Sequence, residues 1–278
     1  MIRALGIALA GSALIAPAPA ADIRALDLSQ FCPFFMEDFR NLRIAPRSLE
    51  QADWIAHTPW NGDFGDAAFS DPGPEGPFSV DKGELKITAR KGKDGRWHSG
   101  LIAAGDAQGR GHGVRYGYFE ARMQLPKGPG TWPAFWLQTL HKVDDGTASV
   151  ELDAIEYYGH NPKAFQTGLL VWHGNKPMGG NKAIPVPEGA LEQGFHTYGI
   201  AVLPETVTYY LDRRPVWQQP TPPELTRPMF PLVNLALGSG YPIDHTPDPS
   251  LLRVSYVHVY ALRAGAGGSG GCQDKRKG

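Results

Sequence analysis

Between residues 84 and 262 the chain is a succession of short apolar runs, each closed by Gly, Pro, Asp or Asn. They read ELKITARK (84–91), RYGYFEARMQL (115–125), AFWLQTL (134–140), FQTGLLVW (165–172), FHTYGIAVL (195–203), VTYYLD (207–212), FPLVNLAL (230–237) and LRVSYVHVYAL (252–262). No long stretch carries a 3.6-residue period, whereas several runs alternate strictly. Tyr116, Tyr118, Glu120 and Arg122 oppose Gly117, Phe119, Ala121 and Met123, so each set takes one face of a strand. VTYYLDRRPVW reads as a hairpin with DRR as its turn. The pattern predicts an all-β fold, an antiparallel sandwich or barrel, and the 34 Gly and 25 Pro suit its many turns. A chain of 278 residues that is 42% hydrophobic can bury one sizeable core without dividing into two.

The ends read differently. Residues 1–20 carry a positive charge at Arg3, an apolar stretch, and small residues Ala18 and Ala20, the pattern of a signal peptide cut after Ala20. The stretch falls short of the roughly 20 apolar residues of a spanning helix. A secreted or periplasmic protein is expected, with no membrane association after cleavage. Residues 264–278, rich in Gly with a basic tip, are expected to be a flexible tail. Cys32 and Cys272 could form one disulfide in an oxidising compartment or stay unpaired. The net charge of −1 gives no electrostatic case for nucleic acid or an anionic membrane as partner. A neutral or weakly charged ligand fits better, and a monomer is expected.

Chemistry concentrates in ELDAIE, from Glu151 to Glu156. Val150, Leu152 and Ala154 give this run one apolar face, so the acids project from the other. In a regular strand Glu151 and Asp153 share a face while Glu156, five residues on from Glu151, lies opposite. Glu156 joins them only if one residue bulges out. Calcium binding would want carbonyl and Asn ligands at loop spacing; paired carboxylates with pKa values pushed apart suit glycosidic bond cleavage.

ELDAIE resembles the bulged E-x-D-x-x-E signature of glycoside hydrolase family 16. SGLI (99–102), YGYFEARMQLPKGPGTWPAFWLQ (116–138), FHTYGIAVLPETVTYYLD (195–212) and PMFPLVNLALG (228–238) resemble further blocks of the family in the same order. The resemblance covers residues 34–260 and implies a catalytic domain over 21–263. It implies a concanavalin-like β-jelly-roll of two antiparallel sheets with a concave cleft, hydrolysing internal β-linkages of a polysaccharide with retention. By position, Glu151 resembles the nucleophile, Glu156 the general acid/base, and Asp153 a residue holding and tuning Glu151. Trp132 and Trp136, four apart and so on one strand face, are expected in the cleft. Trp60 is expected on a rim loop with Asn61 beside it as a weaker candidate, and Trp172 and His173 on the strand after the acids. Asn234 resembles a polar cleft position.

Two departures stand out. Leu170 replaces a histidine common in relatives, and Ser255 stands where relatives place a calcium-ligating aspartate, so no cofactor is expected and a structural calcium is disfavoured. The substrate expected is a β-1,3- or mixed-linkage glucan or a bacterial exopolysaccharide. A transglycosylase of the same family and a non-catalytic lectin-like sandwich are the alternatives; the intact Glu151, Asp153 and Glu156 set speaks against the second.

Overall fold

The computed structural model describes residues 25–264 apart from Asn61 and Asp144. The first strands are β1 (Phe31–Glu37), β2 (Ile44–Ala45), β3 (Trp54–Ile55), β4 (Ala68–Phe69), β5 (Phe78–Asp81) and β6 (Glu84–Lys91). Then come β7 (Trp97–Ala103), β8 (Gly117–Gln124), β9 (Thr131–Thr139), β10 (Ser149–Glu156), β11 (Ala164–His173) and β12 (Lys176–Pro185). The last are β13 (His196–Val202), β14 (Thr206–Leu211), β15 (Arg214–Pro220), β16 (Met229–Leu237) and β17 (Ser250–Leu262). Every long run expected to be a strand is one, within a few residues at each end.

Two antiparallel layers form. The outer layer runs β15–β14–β13–β8–β17, and β6 and β1 pair with successive halves of β17. The inner layer runs β12–β11–β10–β9–β16–β7, with β3 beyond β7. At one corner β6 pairs with β7 and links the layers. The core between them takes one face of each strand, as alternation requires. Phe119, Ala121 and Met123 of β8 and Val257 and Val259 of β17 belong to one buried cluster with Phe135 and Leu137 of β9, Val150 and Leu152 of β10, and Val233 and Leu235 of β16. Each larger side chain buried this way contributes about 1.5–3 kcal/mol.

Two details differ from expectation. The hairpin turn is Asp212–Arg213 alone, both left-handed (φ 50° and 61°), with Arg214 already in β15. Such a two-residue turn matches strand twist. The second is β12, KPMGGNKAIP, which lacks alternation and carries Gly179, Gly180 and two prolines. It is an exposed edge strand held by its ladder to β11, and only Ile184 is buried. Cys32 sits buried on β1 opposite Ala261; Cys272, with which it could pair, the signal segment 1–20 and most of the tail lie outside the described residues. Among the described residues no helix is long and apolar enough to cross a membrane.

Candidate active site

Strand β10 carries the acids, and its pairing explains where they point. Glu151 lies opposite Gln138 of β9, Asp153 opposite Trp136 and Glu156 opposite Ala134, with a one-residue slip between Asp153 and Ile155. Gln138, Trp136 and Ala134 alternate along β9 and share a face, and directly opposed residues of an antiparallel pair point the same way. The extra residue at Ala154 is therefore a bulge that returns Glu156 to the face of Glu151 and Asp153. All three acids line a cleft of about 800 Å³ on the side of the inner layer away from the core.

Each glutamate is held by an indole. Trp172 Nε1 donates to Glu151 Oε2 at 3.1 Å, and Trp132 Nε1 donates to Glu156 Oε1 at 3.1 Å. Glu156 Oε1 also accepts from the Tyr158 hydroxyl at 3.2 Å, and Oε2 from Asn181 Nδ2 at 3.3 Å. Asp153 differs: it is buried, and its Oδ2 has no hydrogen-bond partner. Beneath it lies Gly168 of β11, opposite Asp153 in register. A Cβ on Gly168 would come within 3.0 Å of both Asp153 Oδ2 and Asn181 Oδ1. The missing side chain is the seat of the Asp153 carboxyl.

Aromatic residues build the rest of the cleft. Trp60 and Phe64 reach it from a loop after β3 and pack edge-on against Trp136, at 5.9 and 6.1 Å between ring centroids. The loop is clasped by His57, whose Nδ1 meets Asp63 at 2.7 Å and Nε2 meets Asp71 at 3.1 Å. Asn234 is buried in the cleft lining, its Oδ1 accepting from Trp136 Nε1 at 2.8 Å, and it holds that indole in place. His173 does not join the site. Strand alternation turns it away from its neighbour Trp172, and it lies exposed, 3.9 Å from Glu224. Asn61 falls outside the described residues. The other tryptophans are structural: Trp54 and Trp97 are buried in the core and Trp217 packs on Tyr209. Among the described residues, no group of three or more His, Cys, Asp or Glu side chains is arranged to hold a metal ion.

Four participants were not foreseen: Phe64, Tyr158, Gly168 and Asn181. Tyr158 was within reach, since two residues after Glu156 shares its face. Asn181 depends on the register of a strand that does not look like one.

Burial raises the pKa of all three acids. Glu151 is pushed up to about 7, by burial first and then by the charge of Glu156, against the opposing pull of the Trp172 N–H. Burial and both neighbouring carboxylates hold Asp153 far above the usual carboxylate range. Burial also raises Glu156, opposed by its donors Trp132 and Tyr158. These raised values make a stability prediction. The folded protein retains protons that the unfolded chain releases, so stability falls as pH rises through the window from 4.5 to about 7. Thermal unfolding across that window should give a Tm that declines with pH, and the decline should flatten in the Glu151→Gln, Asp153→Asn, Glu156→Gln triple variant. An equal slope in both proteins would count against the buried acids as its source.

Comparison with known proteins agrees with this architecture. The chain is 30% identical over 264 residues to the endo-1,3-1,4-beta-glycanase ExsH of Rhizobium meliloti (strain 1021), covering 86% of this chain and 54% of that protein. It is 28% identical over 263 residues to EglC of the same organism, also named an endo-1,3-1,4-beta-glycanase, with the same coverage. The chain thus spans about half the length of these curated relatives. The catalytic domain of an endo-1,3-beta-glucanase (laminarinase) from Thermotoga petrophila RKU-1 superposes with a TM-score of 0.64 at 22% identity, over 84% of this chain and 98% of that one. That likeness is one of fold, the β-jelly-roll. A sequence profile of glycosyl hydrolases family 16 matches residues 75–242, a segment that spans β5 to β16 and holds all three acids. By that match, and by the fold and bulged strand that accompany it, the chain belongs to glycosyl hydrolases family 16.

Proposed function

We propose that this domain is a retaining endo-β-glycanase acting on a neutral β-1,3- or mixed-linkage glucan or a bacterial exopolysaccharide. The observation that carries the proposal is the bulged strand β10, which sets Glu151, Asp153 and Glu156 side by side on the floor of an aromatic cleft. Among the described residues, the charged ones lining that cleft include Asp106, Asp145 and the three acids, with no Lys or Arg. Such a lining suits an uncharged polymer and offers no cation to a sulfated or uronic one. The relatives named endo-1,3-1,4-beta-glycanases support the same substrate class.

The chemistry follows from the donors. Ionised Glu151, oriented by Trp172, attacks the anomeric carbon while Glu156 protonates the leaving oxygen, giving a glycosyl-enzyme. Glu156 Oε1 already accepts two hydrogen bonds, so the proton it delivers sits on Oε2. Water then enters; Glu156 takes its proton, and the C–O bond to Glu151 breaks. Asp153 makes no hydrogen bond through Oδ2 and acts on its neighbours through charge.

The test is reducing-end release on a panel of β-glucans, agar, carrageenan and bacterial exopolysaccharides, with Glu151→Gln as the blank. Initial products read by NMR should keep the β-configuration; inverted products would sink the retaining mechanism. Release from sulfated galactans alone would overturn the neutral substrate class. Export is part of the same proposal and rests on residues 1–20; N-terminal sequencing of the protein from culture medium should begin at Ala21.

A further inference from the structure

The aromatic lining does not stop where the cleft does. Trp132, which lines it, lies nearly parallel to Tyr158, at 5.9 Å and 17°. Tyr158 touches Tyr241 at 5.6 Å, and Tyr241 lies on His160 at 3.5 Å. None of these last three rings belongs to the buried core or to the cleft lining. Tyr241 is 42% exposed. Four rings thus lead outward from Glu156, and the outermost faces solvent with no core to stabilise.

Both loops that carry the outer rings are fixed. Gly159 N–H donates to the Thr131 carbonyl and Gly238 N–H to the Gly130 carbonyl, each at 2.9 Å. Gly159 presses so closely on Gly128 and Thr131 that no side chain fits there. Ser239 holds a left-handed conformation (φ 57°) between two left-handed glycines, a strained geometry for a residue with a Cβ. Tyr241 N–H closes the turn on the Gly238 carbonyl at 3.2 Å. The rings are therefore preorganised, which reduces the entropy lost on binding. Burial lowers the His160 pKa, so its ring is neutral at pH 7 and does not favour an anion.

We propose that Tyr241, backed by His160 and Tyr158, is the platform of a further sugar subsite beyond the Trp132 end of the cleft. It takes one more pyranose of a neutral β-glycan, stacked by its C–H face on the phenol ring. This rests on the β-glycanase reading and adds to it a preference for longer chains.

The experiment compares wild type, Tyr241→Ala and Tyr241→Trp on a ladder of β-glucan oligosaccharides, with isothermal titration of the longest one to the Glu151→Gln background. Tyr241→Ala should lower kcat/KM on the longest oligosaccharides about fivefold to tenfold through KM, the scale of one aromatic stacking contact. It should leave kcat/KM on the shortest cleavable oligosaccharide unchanged, and Tyr241→Trp should restore the long-chain value. An unchanged long-chain KM in Tyr241→Ala overturns the subsite while leaving the glycanase reading intact. So does an equal loss at every chain length. Wild type that neither cuts nor binds any β-glycan overturns both.

Discussion

Glu156→Gln should lower kcat/KM on polymeric β-glucan by about 10²–10⁴, the usual contribution of a positioned general acid. On an aryl glycoside whose leaving group departs without a proton, formation of the glycosyl-enzyme should be far less affected. Glu151→Gln should lose activity on both substrates, because the carboxylate that forms the covalent bond is gone whatever leaves. The structure makes the pair of variants readable. Gln keeps the acceptor oxygen that Trp132 and Tyr158 address at Glu156 and the one that Trp172 addresses at Glu151, so neither change should unfold the site. Removing one carboxylate also relieves repulsion within the cluster, and both variants should melt at or above the wild-type temperature. Equal losses by both variants on both substrates would defeat the assignment of separate roles.

The second large effect is expected from a residue with no side chain. Gly168→Ala places a methyl group where Asp153 Oδ2 and Asn181 Oδ1 now sit. Asp153 is buried and cannot swing out, whereas Asn181 stands on the exposed edge strand and can. The methyl should displace Asn181 from Glu156 and press the Asp153 carboxyl toward the two glutamates. Overpacking of this kind costs about 1–3 kcal/mol, and kcat should fall by a factor on the order of 10–100, as for other small misplacements of catalytic groups. Asn181→Ala combined with Gly168→Ala separates the two consequences. If the crowding acts on Asp153, the double variant remains as slow as Gly168→Ala; recovery to the rate of Asn181→Ala would trace the loss to the amide instead. A crystal structure of Gly168→Ala with Asp153 unmoved would remove the argument altogether.

How much of this was legible in the sequence depends on what each residue needs from its partners. The strands that build the core announce themselves, because a face buried between two sheets must be apolar at every second position; β8, β10 and β17 were readable for that reason. The bulge was readable too, since only one irregularity reconciles five-residue spacing with a shared face. Trp172 and Trp132 could be assigned to the site, but their pairing with Glu151 and Glu156 in that order depends on register, which alternation alone leaves open. His173 was misplaced because a strand end was read as two adjacent cleft residues, which alternation forbids. Asn234 was recognised as polar within an apolar run, but its partner, the Trp136 indole of the cleft lining, depends on register. Strand β12 stayed hidden: with one buried side chain, no periodicity is required of it, and its backbone ladder to β11 is independent of residue type. Gly168 is the limiting case, a position defined by what two distant carbonyl-bearing groups require to be absent.

The bulge at Ala154 has a further consequence, one of parity. Without it the strand would return Glu156 to the cleft face only if the two glutamates were an even number of residues apart. With it the separation is odd and the face is the same. Removing Ala154 makes the count even and the strand regular, and leaves Ile155 opposite Phe135 and Glu156 opposite Ala134. Length can therefore change by one residue here without turning an acid into the core, a freedom that the regular ladder between Glu151 and Asp153 does not have.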